Sequence, residues 1–408
     1  MTSLISPHDT WALWAVIIAG TGLAIGLEQR YTWAARLSGP VLALLIAMGL
    51  SNLRVMPTDS PVYETVNQYL VPLAIPLLLF RADAFQILRT TGRMFIAFHI
   101  SALGSLIGAL AAFLLLKDLF AHTSGAAGHQ GSTLELAQVG GIMAASYIGG
   151  ALNFIAVKET FHTSSDLTGP LLVADNFVMA GVFLVLLFIA ASRVFLARYP
   201  HPHTHSSTGR SGAEQAAAHW HRKEISLLDI AKALGVAFAI VAGAAELSER
   251  IAGRLADSML RDIATNRFVL ITFLTMAAAT LFARPMQRIH GPEELGGYML
   301  YVFLFVIGLP ANLISALRNV PLLFVYCLIM AIVNLLLTLA AGRLLRFNLE
   351  ELLLCVNASL GGPPSAAAMA IAKGWSRLIL PAILIGIWGY VIGTPLGVAA
   401  VRLLMRLG

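Results

Sequence analysis

The sequence predicts an all-α membrane protein whose two halves repeat each other, each half holding one helix that breaks in mid-span. Three observations lead there. Of the 408 residues, 58% are hydrophobic and only 12% are charged, half the roughly 25% charge of a soluble domain. Apolar runs of the ~20 residues needed to cross a bilayer recur from end to end. Two of those runs carry their own helix breakers, ASYIGGALNF at 145–154 and NASLGGPPSAAAMAIAKG at 357–374.

Read in order, the spans fall at 11–28, 37–53, 66–82, 93–117, 136–158, 168–193, 229–247, 268–284, 295–315, 320–343, 350–372 and 377–402. Helices are the expected form, because a backbone in lipid must satisfy its own hydrogen bonds and the runs lack the period-2 alternation of barrel strands. Trp11 and Trp14 open the first span as an interfacial belt. No cleavable signal is expected, since no Lys or Arg precedes Trp11. Asp83 and Asn312 stand at matched span ends, where capping or a polar contact explains them. His99 lies inside the fourth span, where a hydrogen-bonded packing role outweighs a proton shuttle. Cys327 and Cys355 sit in apolar runs and support neither a disulfide framework nor a zinc site. The net charge of +6 falls mostly between spans and reads as anchoring charge at lipid head groups, not as a nucleic-acid footprint.

Two polar loops interrupt the pattern, at 118–135 and at 197–224. The second divides the chain into halves at 1–196 and 225–408. Its His201, His203, His205, His219 and His221 read as a solvated linker in preference to a metal site.

The halves repeat. YLVPLAIPLLLFRADAFQILR at 69–89 matches YMLYVFLFVIGLPANLISALR at 298–318 at an offset of 229 (298 − 69), pairing Tyr69 with Tyr298 and Asp83 with Asn312. The broken segments match at an offset of 212 (361 − 149), which also pairs Gly181 with Gly393. The difference of 17 (229 − 212) is about the length of the loop at 118–135, which the second half lacks. Loop charges suggest inversion. Arg81, Arg89 and Arg93 crowd one loop of the first half, whose neighbours carry Arg54 and Lys117. The equivalent loop of the second half has Arg318 alone, while its neighbours carry Arg284 with Arg288 and Arg343 with Arg346. By the positive-inside rule, matching loops then lie on opposite sides. The span count conflicts with this, because the broken segments are fifth and eleventh and inversion needs an odd separation. Either 229–247 does not fully cross or the stretch 249–266 belongs to another crossing, which gives eleven to thirteen spans.

Non-helical backbone at membrane depth is tolerated where protein or water shields it. A broken helix bares N–H groups at one half-helix start and carbonyls at the other half-helix end. The former attract anions and the latter cations. Two such helices at a pseudo-twofold axis make the kind of site found in secondary transporters. The plainer alternative is that small residues merely allow close helix packing; two matched breaks, one followed by Pro-Pro, favour the site.

ADN at 174–176, ASYIGGALNF at 145–154, NASLGGPPSAAAMAIAKGW at 357–375, LPAILIGIWGYVIGTPLG at 380–397 and YLVPLAIPLLLFRAD at 69–83 together resemble the YjcL-like family of multi-pass membrane proteins of unknown function. The resemblance covers nearly the whole chain apart from the two polar loops. That family is grouped with the bile-acid/sodium symporters, sodium/glutamate symporters and cation/proton antiporters. The resemblance therefore implies an inverted-repeat secondary-transporter fold, of 5+5 type with extra helices, in which two crossed discontinuous helices lie in a core that moves against panel helices. It implies elevator-type transport and names no solute. The chain departs from the family pattern at Pro363–Pro364, where Pro-Ala or Pro-Thr is more usual, and in its His-rich linker.

The candidate solute- and ion-binding residues are Ser146, Tyr147, Gly149, Gly150, Asn153, Asp175, Asn176, Asn357, Ser359, Gly361, Gly362 and Ser365. A carboxylate inside lipid is by default functional or paired; Asp175 serves an ion or neutralises a lysine such as Lys158. Asn153 and its mate Ser365 offer oxygens suited to a hard cation, so a sodium site at Asn153, Asp175 and Asn176 is the expected metal site, with no other cofactor. Ser146, Tyr147, Asn357 and Ser359 serve the site or bond between helices. Lys158 and Lys373 follow the breaks, to attract an anion or to anchor at the interface. The leading reading is a sodium- or proton-coupled transporter of a small organic anion; the second is a cation/proton antiporter using Asp175. An intramembrane enzyme is disfavoured, since H-E-x-x-H, G-x-S-x-G and nucleotide-loop motifs are all missing. The expected partners are a small solute and membrane lipid, without nucleic acid, and the panel helices offer a homodimer face. The expected location is a cell membrane of bacterial inner-membrane type.

Overall fold

A computed structural model describes residues 3–31, 39–123, 133–203, 224–252, 259–309 and 313–408. Asn312, His205, His219 and His221, with half of the first polar loop and most of the second, lie outside the described residues. Among the described residues all regular structure is helical.

The helices are α1 (Thr10–Arg30), α2 (Gly39–Asn52), α3 (61–78, with a π-helical turn at Val66–Leu70), α4 (Ala84–Thr91), α5 (Arg93–Thr123), α6 (Thr133–Thr160) and α7 (Ser165–Ala191). The second half holds α8 (Leu227–Ala252), α9 (Arg267–Leu281), α10 (Pro292–Gly308), α11 (Leu313–Leu344), α12 (Leu349–Ala372) and α13 (Ile379–Met405). Helix starts follow polar caps. Asp9, Ser60, Asp83, Ser164 and Asn266 each accept a backbone N–H from the first turn of the following helix, as N-caps do. Asp83 is thus a cap, accepting from Phe85 at 2.9 Å and Gln86 at 3.3 Å.

Among the described residues eight helices are long and apolar enough to cross a membrane, and the protein is a multi-pass membrane protein. Length alone overstates the crossings, because two of these eight, α6 and α12, turn back on themselves. A Cβ placed on Gly397 would lie 2.6 Å from Ala145 Cβ and 2.9 Å from Val157 Cγ2, whereas twelve residues of straight helix span about 18 Å. In α12 the Asn357 amide reaches Ser365 O at 3.2 Å and Met369 Sδ at 3.4 Å, again across what would be about 18 Å. Both segments are re-entrant hairpins, not the crossed discontinuous helices that the resemblance implies.

Contacts between helix ends sort into two ends of the bundle. One end gathers Leu4 with Arg54, Ser248 with Thr265, Thr160 with Asn266, and Thr133 with Gly408. The other gathers Glu28 with Gly39, Ala84 with Thr280, Arg81 with Glu293, Arg93 with Leu345, and Leu349 with Pro200. Ten helices run from one end to the other: α1–α3, α5, α7–α11 and α13. Both ends of α6 lie at the first end. Both ends of α12 lie at the second, where Lys373 Nζ donates to Leu187 O near the finish of α7. The conflict in the span count is resolved in an unexpected place. It is the broken segments that begin and finish at one end of the bundle, while 229–247 lies within α8, whose two ends lie at opposite ends.

Helices α5 and α11 pack antiparallel at the centre. Gly104 meets the backbone of Asn334 and Gly108 that of Met330. Buried polar bonds close this junction. Asn334 Nδ2 donates to Ser101 O at 2.7 Å and Ser105 Oγ at 2.8 Å, and Ser101 Oγ lies 2.8 Å from Ser359 Oγ. Ser105 Oγ donates to Tyr147 O at 2.7 Å. The junction therefore ties both hairpins to the same pair of helices.

Candidate functional site

Each hairpin turns on one glycine in a conformation that other residues avoid. Gly150 has φ 70° and ψ −169°, and Gly362, 212 positions later, has φ 77° and ψ −176°. A positive φ with ψ near 180° is essentially reserved for glycine. Gly149 also leaves the helical region, at φ −139° and ψ 18°. Its Cα lies so close to Gly389 O and Asn153 Nδ2 that a side chain has no room.

The two tips are braced differently. At the first, Asn153 Nδ2 donates to Gly149 O at 2.8 Å, and Asn153 Oδ1 accepts from Thr394 Oγ1 at 2.6 Å. At the second, Ser365 Oγ donates to Asn357 Oδ1 at 2.6 Å and Asn357 Nδ2 returns a bond to Ser365 O, stitching one limb to the other. The limb after Gly362 opens with Pro363 and Pro364, which supply no N–H. The limb after Gly150 opens with Ala151 and Leu152, which do. Backbone donors are therefore concentrated at the first tip.

Both tips face α13. Gly389 meets Ile148 O, and a Cβ on Gly386 would stand 2.8 Å from the Pro363 backbone. Between these contacts rises Tyr390. Its Cε1 is 3.5 Å from where a Gly150 Cβ would stand and 3.9 Å from the Gly362 Cβ position. The tips of two hairpins that start from opposite ends of the bundle thus meet at one aromatic ring.

A second polar centre lies between the first hairpin and α7. Asp175 is 7% exposed and accepts a bond on Oδ2 from Ser146 Oγ at 3.0 Å. Asp175 Oδ1 and the Tyr147 hydroxyl fall short of a well-formed hydrogen bond, but the hydroxyl stands beside the carboxylate as its nearest further donor, with the Cys327 thiol near both. A buried carboxylate is costly unless hydrogen bonds, a proton or a cation satisfy it. Lys158 does not neutralise Asp175. It pairs with Glu159 at 2.7 Å over the Phe303 ring.

Asn153 turns toward the first tip, whereas Asp175 and Asn176 are neighbours on α7. Both polar atoms of the Asn153 amide are engaged at the tip, and Asn176 Nδ2 donates back to Leu172 O at 2.8 Å. Gly361, Gly362, Asn357 and Ser365 gather at the second tip, with Gly361 against Met179 of α7, while Ser359 joins the α5–α11 junction. His99 is a hydrogen-bonded packing residue. Its Nδ1 faces Phe95 O at 2.7 Å and its Nε2 accepts from Trp388 Nε1 at 3.2 Å. At the second end, His203 N–H donates to Glu350 at 3.0 Å and His201 Nδ1 lies 3.0 Å from Tyr199 O.

Three positions escaped the sequence reading. Asn334 and Thr394 carried a usable signal, since a polar side chain in mid-span is expected to bond across helices. Tyr390 carried almost none, because its mate at the 212 offset is Val178 and its neighbours are Gly389 and Gly393.

The chain matches, over residues 15–407, the family described as "Protein of unknown function (DUF819)". It is 42% identical over 399 residues to the "Uncharacterized membrane protein YjcL" of Bacillus subtilis (strain 168), with 97% of each chain covered. The chain belongs to this family of multi-pass membrane proteins.

Proposed function

We propose that the protein is an ion-coupled secondary transporter of a small organic anion, built as two inverted repeats and working by elevator-type alternating access. Each repeat has five crossings and one re-entrant hairpin, so a repeat begins on the side opposite its mate. This agrees with the reversed loop charges and with the broader symporter and antiporter superfamily that the sequence resembles. The observation that carries the proposal is the meeting of two matched hairpin tips at Tyr390, midway along α13. Backbone groups freed at a break make a binding site where charged side chains are scarce. The anionic choice follows from the donors opening the limb after Gly150, at the positive end of that half-helix.

Asp175 is the coupling group. Its Oδ1 has room in its bonding for one small cation, and an ion there offsets the charge that the solute brings. A cation/proton antiporter is the second reading. It is favoured by Asn153, both of whose amide atoms are engaged at the tip, which leaves fewer side-chain oxygens beside Asp175 than a many-oxygen sodium shell needs. Transport in either reading involves no catalytic step.

The test is a thermal-shift screen of the purified protein against organic acids, amino acids and peptides, with and without sodium. A ligand at 100 times its Kd adds about 2.7 kcal/mol to folded-state stability. One acid class is expected to stabilise the protein. Asp175→Asn is expected to keep the fold and lose pH- or sodium-linked flux in reconstituted vesicles. Undiminished ion-linked flux in that variant removes Asp175 from the coupling role.

A further inference from the structure

We infer that Tyr390 is the residue on which the transported solute rests, its phenol donating a hydrogen bond to the solute's anionic group while the ring face takes the apolar body. The inference deepens the transporter reading and rests on it.

Beyond each turning glycine the nearest side chain from another helix is this one ring. A Cβ on Gly150 would meet Tyr390 Cε1 and no other atom within 4 Å. A Cβ on Gly362 would meet Tyr390 Oη at 3.5 Å, Tyr390 Cε1 and, at 4.0 Å, Pro364 Cδ. A solute touching both tips must therefore touch Tyr390. Close packing of α13 on the hairpins does not call for the ring, because that contact is made by Gly386, Gly389 and Gly393. A large side chain set among three small ones occupies the gap, not the packing face.

Symmetry points the same way. The tips repeat each other at an offset of 212, but Tyr390 answers to Val178. Duplication supplied the two tips, and the ring is an asymmetric addition between them. Tyr390 is only half-buried, and its hydroxyl is not among the buried polar atoms left without a partner, so the group stands where a ligand can reach it. Glu293, whose charge reaches Tyr390, is paired with Arg81 at 3.6 Å, so it does not dominate the gap. The donors that remain are the phenol O–H and the N–H groups opening the limb after Gly150, which suits an acceptor-rich anion.

Cysteine labelling in sealed proteoliposomes tests this with defined probes: anionic ethylsulfonate methanethiosulfonate and its cationic trimethylammonium counterpart, applied from each side. Cys327 and Cys355 are buried and remain in place. Tyr390→Cys is expected to react, and the anionic probe is expected to be favoured about tenfold over the cationic one after correction for their rates on a free thiol, the lower end of electrostatic focusing in a cleft. Leu384→Cys, buried on the same helix, is expected to stay unlabelled. Should Tyr390→Cys fail to fold, Pro364→Cys at the exposed rim of the same gap takes its place. Equal or faster reaction with the cationic probe overturns the anion assignment and leaves the transporter reading standing. No reaction with either probe from either side overturns the solute gap, and the transporter reading loses its carrying observation with it.

Discussion

Hairpin α6 is pressed along α13 by backbone contact, with Gly149 under Gly389 and Asn153 bonded out to Thr394. The tip of hairpin α12 is braced within the hairpin by the reciprocal bonds of Asn357 and Ser365, and its outer neighbour at Gly361 is the flexible end of Met179. Yet Gly150 and Gly362 differ by only 7° in φ and 7° in ψ. The fold thus conserves the turn that makes a tip and varies what surrounds it. One tip is fixed to its support and the other is braced within. That is a natural division for a pair in which both tips form the site while their surroundings differ in freedom to move.

Matched glycine substitutions should break the comparison most sharply. A Cβ at Gly149 collides with Gly389 O, which is backbone and cannot turn aside. A Cβ at Gly361 meets the Met179 methyl, which can turn aside, and Ser365 Oγ and Cβ, which yield only by a small shift of that limb. Overpacking costs about 1–3 kcal/mol. Gly149→Ala is expected at or beyond the upper end, with loss of folded protein in detergent, and Gly361→Ala at or below the lower end. Melting temperatures from fluorescence or size-exclusion stability check this, and equal losses would mean the second hairpin is as tightly backed as the first.

A smaller difference is expected from the amides. Asn153→Ala leaves Gly149 O and the buried Thr394 hydroxyl without partners, and unsatisfied buried groups cost about 1–3 kcal/mol. Asn357→Ala leaves Ser365, which is only half-buried and can turn toward the gap, so about 1 kcal/mol or less is expected. Thermal denaturation of the two variants side by side measures the gap. A larger loss for Asn357→Ala would place the main brace inside α12.

Much of this was legible in the sequence, and the failure was specific. The breaks were visible because Gly-Gly inside an apolar run has few other uses, and the 212 offset predicted the pairing that the dihedral angles now display. Asp175 stood out because a carboxylate in lipid needs a reason. What the residues could not tell was whether the chain bends or reverses at each break, because glycine permits both; the outcome depends on the distant surface of α13 against which the limbs fold. The odd-separation conflict was the available clue, and it pointed at the wrong helix because an apolar hairpin and an apolar span have the same composition and length. Asn153 and Ser365 illustrate a related limit. The offset pairs them correctly, but one bonds outward to Thr394 and the other inward to Asn357, a difference made by neighbours contributed from elsewhere in the chain.

The finest test concerns donors, where the two tips differ by chemistry alone. Pro363 stands at the start of its limb, a position that tolerates proline because the missing N–H has no helical partner to lose. Pro363→Ala therefore costs little in the folded state and acts mainly by loosening the unfolded chain, about 0.4–1 kcal/mol. It also restores an N–H at the second tip and makes it resemble the first. A charge near a helix start is worth about 0.3–1 kcal/mol, so anionic labelling of Tyr390→Cys should quicken about two- to fivefold in the double variant. If the rate is unchanged while the melting point falls as expected, the second tip lies outside the field felt at Tyr390, and the anion is held by the first hairpin alone.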